Sequence, residues 1–302
     1  MSPENNQTWA ILLAGGEGTR LSALTRKIAG ETIPKQFCRL IGNESLFEYT
    51  YRRASLIIER DRIISALTRS HERFYKSMLE GTMTRNLVVQ PQNRGTAPAI
   101  LYSLLRLTKL DPYARVALFP CDHFVDDERE FMRLVKVAFE VIDRRPELTI
   151  LLGIAAEKPE TSYGWIESGE ALTGGVCSIR RFWEKPHKEL ANELHRRGCL
   201  WNSFVMVARA STLLGVFVIA TPNLYSSFQK VCGTFGTKFE QHAVEQFYEQ
   251  LPASSFSEDI LMHGMNLGVL RVNGVLWSDL GEPARVIETL SRLGVRIDWP
   301  AA

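Results

Sequence analysis

The sequence offers little on which to build a covalent or metal scaffold. Its 302 residues hold five cysteines (Cys38, Cys121, Cys177, Cys199 and Cys232), an odd number at scattered spacings with no CxxC pair. Reduced thiols are expected from that pattern, not a zinc site or a disulfide framework. Long apolar runs are missing too. A run such as "LLGVFVIA", Leu213 to Ala220, falls far short of the ~20 residues that cross a bilayer. The opening segment "MSPENNQTW" has neither a basic stretch nor an apolar core, so no signal peptide is expected and the protein reads as cytoplasmic. An excess of one charge is also absent: 36 Lys and Arg against 34 Asp and Glu leave a formal net charge of +2. A nucleic-acid binder would carry a concentrated basic patch. Neither nucleic acid nor a membrane is expected as a partner.

What is present is a globular composition, 45% apolar and 23% charged. Short apolar runs alternate with helical patterns. "WAILLA", "RIISALT", "NLVVQ", "RVALFPCD" and "LTILLGI" read as buried strands. "SLFEYTYRRASLII", "HERFYKSML", "TAPAILYSLLRL" and "EREFMRLVKVAFEVID" read as the helices between them, with Thr96 expected as an N-cap and Pro98 in the first turn. After Gly164 come "GWIES", "VCSIRRFWEKP", a helix from His187 to Arg197, and "LWNSFVMVA". The expected fold class is α/β: a Rossmann-like, mostly parallel mixed sheet with helices on both faces.

Directly after the first strand comes Gly15-Gly16-Glu17-Gly18-Thr19-Arg20. Glycines at a strand's C-terminal end let backbone N–H groups approach phosphate oxygens closely. In open parallel sheets, ligands gather at that end. Arg20 and Lys35 add two cations suited to a triphosphate. The loop lacks the Lys-Ser/Thr of a Walker A motif, and Leu21 stands where a dinucleotide fingerprint needs its third glycine. A tight strand-to-helix turn explains the glycines equally well on this fragment alone. One domain over residues 1–302 is expected, with residues 8–150 as the nucleotide-binding half and residues 151–302 closing the site.

"FPCDHF" sets Asp122 at the end of an apolar strand, and "VLWSDLGEP" sets Asp279 in a similar context. Mg²⁺ bound to phosphates is held by one or two carboxylates plus phosphate oxygens and water, and these two are the candidate pair. Taken singly, each aspartate reads better as a turn cap. "FWEKP", "LWNSF" and "SYGWI" combine carboxylate, carboxamide and aromatic groups that suit sugar hydroxyls, although each alone is more often packing. His123 has no Ser or Cys partner, and Cys121 has no base placed to activate it.

With these segments in order, the chain resembles the sugar-1-phosphate nucleotidyltransferases, and among them the mannose-1-phosphate guanylyltransferases. The likeness rests on "LLAGGEGTRL", "PKQF", "PQNRGTAPAI", "FPCDHFV", "PETSYGWI", "FWEKP", "LWNSF" and "WSDLG". It implies a nucleotidyltransferase (GT-A-like) fold without a C-terminal β-helix. It implies GTP and mannose-1-phosphate as substrates, Mg²⁺ as cofactor, and leaves a homodimer open. Ala14, Gly15, Gly16, Gly18, Thr19 and Arg20 would bind the triphosphate, and Gln90, Pro91, Gly95, Thr96 and Ala97 would lie by the base. Gly164, Glu184, Lys185 and Asn202 would contact the sugar phosphate. Asp122 and Asp279 would hold the metal, and Arg20, Lys35 and Asp122 would be catalytic. Other nucleotide and sugar pairs fit the same chemistry, as does a silent sugar-nucleotide-binding regulatory subunit.

The chain departs from the family pattern at several points. Ser22-Ala23 follow "GTRL" where Trp-Pro is usual, and the segment before Pro34 is longer. Cys121 replaces a serine, Phe204 replaces a glycine, and Gly264 stands where a glutamate is expected.

Overall fold

The computed structural model describes residues 7–264 and 266–295. The chain opens with β1 (Thr8–Leu13), α1 (Ser22–Ala29), α2 (Leu46–Ala54), β2 (Ile63–Thr68), α3 (Glu72–Tyr75) and β3 (Leu87–Gln90). Next come α4 (Thr96–Leu110), β4 (Arg115–Pro120), β5 (Phe124–Val125), α5 (Glu128–Arg144) and β6 (Thr149–Ala155). They are followed by β7 (Gly164–Ala171), β8 (Val176–Glu184), α6 (Lys188–Arg196), β9 (Leu200–Arg209), α7 (Ala210–Ala220) and α8 (Pro222–Gln229). The last elements are α9 (Glu240–Glu249), α10 (Phe256–Asp259), β10 (Leu267–Val272), β11 (Trp277–Ser278) and α11 (Pro283–Arg292). None of the described helices is long and apolar enough to cross a membrane.

Nine strands form one mixed sheet in the order β3-β2-β1-β4-β9-β6-β10-β8-β7. Helices cover both faces, which explains why the first strands read as continuous apolar runs. In β1, Ala10 and Leu12 enter the core under α2 and α5, while Trp9 and Ile11 enter the core under α4 and α7. The alternation is the period of two of any strand; here both faces are apolar because both are covered.

The parallel pairings lie between β1, β2, β3 and β4, and again between β6 and β10. β9 runs antiparallel between β4 and β6. Its first residues therefore lie at the edge where the parallel strands end, which brings "LWNSF" to the glycine loop.

Two helices are shorter than their patterns predict. α2 starts on a capping box, Ser45 with Glu48, but stops at Ala54. The expected helix from His71 to Leu79 has one α-turn and then a 3₁₀ turn at Ser77–Leu79. At α4 the N-cap is Gly95, and the Thr96 hydroxyl instead accepts the Phe256 N–H at 2.8 Å. That bond joins the helix to a segment 160 residues away, a use that capping rules cannot foresee.

A third apolar cluster packs Leu21 and Leu24 of the loop and α1 against Leu280, Val286 and Leu290 at the C-terminal end. It closes the site from the far end of the chain.

Candidate active site

A cleft of about 310 Å³ opens at the C-terminal edge of the parallel strands. Gly15, Gly16, Gln90, Gly95 and Thr96 line one side, and Gly164, Glu184 and Asn202 the other, with Asp122 and Asp279 also on its wall. With Gln36 also on its wall, residues from all eight quoted motifs share one cavity.

The two aspartates meet through a short ribbon. β5 and β11 pair antiparallel, with Trp277 opposite Val125 and Ser278 opposite Phe124. One more step in that register sets Asp279 opposite His123, beside Asp122. Lys35 ties the two ends together. Its Nζ lies 3.0 Å from the Asp122 carboxylate and donates to the Asp279 carbonyl at 2.6 Å. Burial works to raise the Asp122 pKa, but Lys35, together with His123 and a backbone hydrogen bond, more than offsets it and holds the carboxyl below its ordinary value. Lys35 itself is buried, its side chain only 8% exposed.

Three side chains that carried no assigned role complete this corner. Asp279 Oδ1 accepts from the Gly281 N–H at 2.9 Å and the Tyr163 hydroxyl at 3.2 Å, and Arg285 Nε approaches it at 3.3 Å. Arg285 also stacks over the Tyr163 ring at 4.9 Å. Gln36 donates to the carbonyls of Ala14 and Gly16 at 3.0 and 2.7 Å and so shapes the glycine loop. Tyr163 and Gln36 lie inside quoted motifs, whereas nothing in "GEPAR" marks Arg285.

His123 Nδ1 lies 3.2 Å from the Ser203 carbonyl, and Nε2 lies 3.4 Å from Asp122. Burial pushes the imidazole pKa down despite Asp122. A carbonyl only accepts, so in the neutral ring Nδ1 carries the proton. Cys121 is fully buried, and burial, reinforced by Asp122, pushes its thiol well up. It is no nucleophile.

Several assigned residues stay outside the cavity. Thr19 and Arg20 are exposed on the loop, and neither lines the cleft. Pro91 faces a separate groove on the other side of β3. Ala97 is buried in the α4 core, with its N–H on the Ser254 carbonyl at 3.2 Å. Ala14 is buried behind the loop, and Lys185 is exposed, pairing with Glu184 at 2.8 Å. Gly18 is also outside, yet it is required where it stands. At φ +62 an added Cβ would meet the Lys35 backbone N at 2.9 Å.

Gly95 is constrained more severely. It has φ +90, and a Cβ there would lie 2.3 Å from the Ser254 carbonyl oxygen. Asp259 holds that partner loop by accepting the Ser254 hydroxyl and the Ser255 N–H. Gly95→Ala should therefore lower stability by on the order of 1–3 kcal/mol. A urea midpoint equal to wild type would show that the Ser254 loop yields freely.

Backbone strain gathers at the rim. Of the four described non-glycine residues with positive φ, Lys185 (45°), Phe204 (61°) and Leu280 (47°) are in or directly beside residues of the cleft. Such conformations cost about 1–3 kcal/mol each and persist where surrounding structure enforces them.

The model of the nucleotidyl transferase family matches residues 9–293. The chain is 34% identical over 210 residues to the alginate biosynthesis protein AlgA of Pseudomonas putida, covering 68% of this chain and 42% of that protein. It is 27% identical to the mannose-1-phosphate guanylyltransferase RfbM of Salmonella typhimurium, covering 90% of this chain and 56% of RfbM. The chain thus spans about half the length of the curated relatives it matches. Among solved structures it is similar to the mannose-1-phosphate geranyltransferase of Thermus thermophilus, with TM-score 0.81 and 25% identity, over 96% of this chain and 80% of that one.

Proposed function

The chain belongs to the nucleotidyl transferase family, and from that premise we propose that it transfers a nucleotidyl group from GTP to mannose-1-phosphate. The products are GDP-mannose and pyrophosphate. An oxygen of the sugar phosphate forms a bond to the α-phosphorus while the α–β bridging bond breaks, and pyrophosphate leaves with the electron pair. A phosphate monoester, with a second pKa of about 6, is already largely ionised at neutral pH. The nucleophile needs no general base, and a neutral His123 and an inert Cys121 agree with that. The chemistry asks instead for positioning and charge neutralisation.

The observation that carries the reading is the shared cleft: glycine loop, Asp122–Lys35–Asp279 corner and the Gly164, Glu184 and Asn202 wall. The guanylyltransferase name of the Salmonella relative supports the finer substrate choice. The donor set suits Mg²⁺. Among the described residues no cluster of three or more His, Cys, Asp or Glu side chains would hold a metal alone. Two carboxylates on the cleft wall, completed by phosphate oxygens and water, match how Mg²⁺ is held by nucleotide enzymes. Such an ion supplies charge neutralisation on the phosphate oxygens. Asp122 and Asp279 would hold it, Lys35 would keep their loops together, and the glycine-loop amides would bind the triphosphate. Gly164, Glu184 and Asn202 would orient the sugar phosphate. Arg20, exposed on the loop, would need a shift of that loop to reach the phosphates. Residues 1–302 are proposed to act as one domain, with a homodimer left open as the assembly.

The test is pyrophosphate release with Mg²⁺ across a grid of GTP, ATP, UTP, CTP and dTTP against mannose-, glucose- and fucose-1-phosphate. The expected result is one strong combination, GTP with mannose-1-phosphate. Strong release elsewhere keeps the chemistry and moves the specificity. No release, with GDP-mannose still bound, makes the chain a sugar-nucleotide-binding regulatory subunit.

A further inference from the structure

Thr68 ends β2 against the glycine loop. It is buried, and its Oγ1 donates to the Gly15 carbonyl at 3.0 Å. In the parallel pairing of β2 with β3, Thr68 stands opposite Gln90. Both side chains press on Gly15, where an added Cβ would lie 2.9 Å from Thr68 Oγ1 and 3.0 Å from Gln90 Nε2. A side chain at position 15 would thus push against the hydroxyl that holds its own carbonyl.

The loop is anchored through three successive carbonyls. Those of Ala14 and Gly16 accept from Gln36, and that of Gly15 accepts from Thr68. The peptides are trans, so each N–H points opposite to the preceding carbonyl. Holding the carbonyls therefore sets the direction of the Gly15, Gly16 and Glu17 amides. None of these three amides has a hydrogen-bond partner among the described residues. Gly16 is exposed and lines the cleft, and its N–H is turned away from the buried Thr68. Glu17, the one anion of the loop, stays off the cleft wall, with its carboxylate 3.2 Å from His71 Nε2. Unpartnered donors beside an open cavity, with the anion set aside, suit an anionic ligand.

We infer that Thr68 is a positioning residue for the phosphates of the nucleotide. It touches no ligand itself. By holding the Gly15 carbonyl it presets the Gly16 amide for a phosphate oxygen, so binding does not first have to order that peptide. The inference rests on the nucleotidyl-transfer reading above and names a support of its phosphate site.

The experiment compares wild type with three variants. Thr68→Val keeps the shape and loses the hydroxyl, Thr68→Ser keeps the hydroxyl and loses a buried methyl, and Thr68→Ala differs from the serine variant by the hydroxyl alone. Thermal melting establishes folding, and calorimetry then follows inorganic triphosphate and GTP, each with Mg²⁺. In the valine and alanine variants the Kd for inorganic triphosphate should rise about three- to tenfold, the scale of one neutral hydrogen bond. The Kd and KM for GTP should rise in parallel, with kcat within about twofold of wild type. Thr68→Ser should bind both within about twofold of wild type, even if it melts below Thr68→Val. An unchanged triphosphate Kd without the hydroxyl overturns the inference, as does wild type that binds no triphosphate. A serine variant as weak as the alanine one overturns it, because the effect then follows packing. Weakening of GTP alone also overturns it, by placing the effect at the neighbouring Gln90. Wild type inactive on every nucleotide and sugar pair would overturn the nucleotidyl-transfer reading, while the triphosphate affinities would still decide the role of Thr68.

Discussion

Asp122→Asn should leave the fold intact and lower turnover by about 10²–10³-fold or more, the scale seen when a preorganised electrostatic group is removed from an active site. The carboxylate lies 37% exposed on the cleft wall, 3.0 Å from Lys35. The amide matches it in size and still accepts from Lys35, so packing is preserved. What disappears is the negative charge that a divalent cation needs. The measurement is pyrophosphate release beside a thermal melt, with Mg²⁺ binding followed separately by calorimetry. Near wild-type turnover would remove Asp122 from the metal assignment. A large drop in melting temperature would show that it serves the fold instead.

Lys35→Met should show the complementary pattern: kcat reduced at least about tenfold, KM changed little, and stability lowered by on the order of 1–3 kcal/mol. Methionine keeps the stem volume but loses the ammonium. The Asp279 carbonyl, an acceptor at 2.6 Å, then has no donor from that side, and Asp122 loses its cation. The Asp122 contribution is screened because that carboxylate is partly exposed. Its pH dependence follows from the direction of the shift. Burial raises the carboxyl pKa, and Lys35, His123 and a backbone hydrogen bond together more than reverse this, so the folded value lies below the unfolded value of about 3.9. The resulting stabilisation is present above the unfolded value and is lost as pH falls through the folded one. In Lys35→Met most of that acid-dependent increment should be lost, since Lys35 is the largest of the lowering influences. A pure KM effect would restrict Lys35 to ground-state binding, and an unchanged acid limb would detach it from Asp122.

Both predictions concern residues that were legible as candidates, yet their geometry was not. Lys35 stood out as a cation after "P" in "PKQF", suited to a phosphate. Its actual contacts are the distant Asp122 carboxylate and a carbonyl 244 positions on. Local pattern identifies the kind of group. Distances between distant segments come only from packing.

The sequence by itself determined the alternation of strands and helices, the glycine loop at a strand end and the two aspartates in strand-end contexts. Those features are local: strand period, turn chemistry and the position of charge relative to an apolar run. The eight ordered motifs also sufficed for the family. Tertiary structure alone decided that β9 runs antiparallel between β4 and β6, that the β5–β11 ribbon brings Asp122 to Asp279, and that Arg285 supports Asp279. It also turned Pro91 away from the cleft and forced Phe204 into a glycine-like turn. Pairing register and side-chain direction across a long chain depend on which surfaces close against each other, and no short window of sequence contains that information.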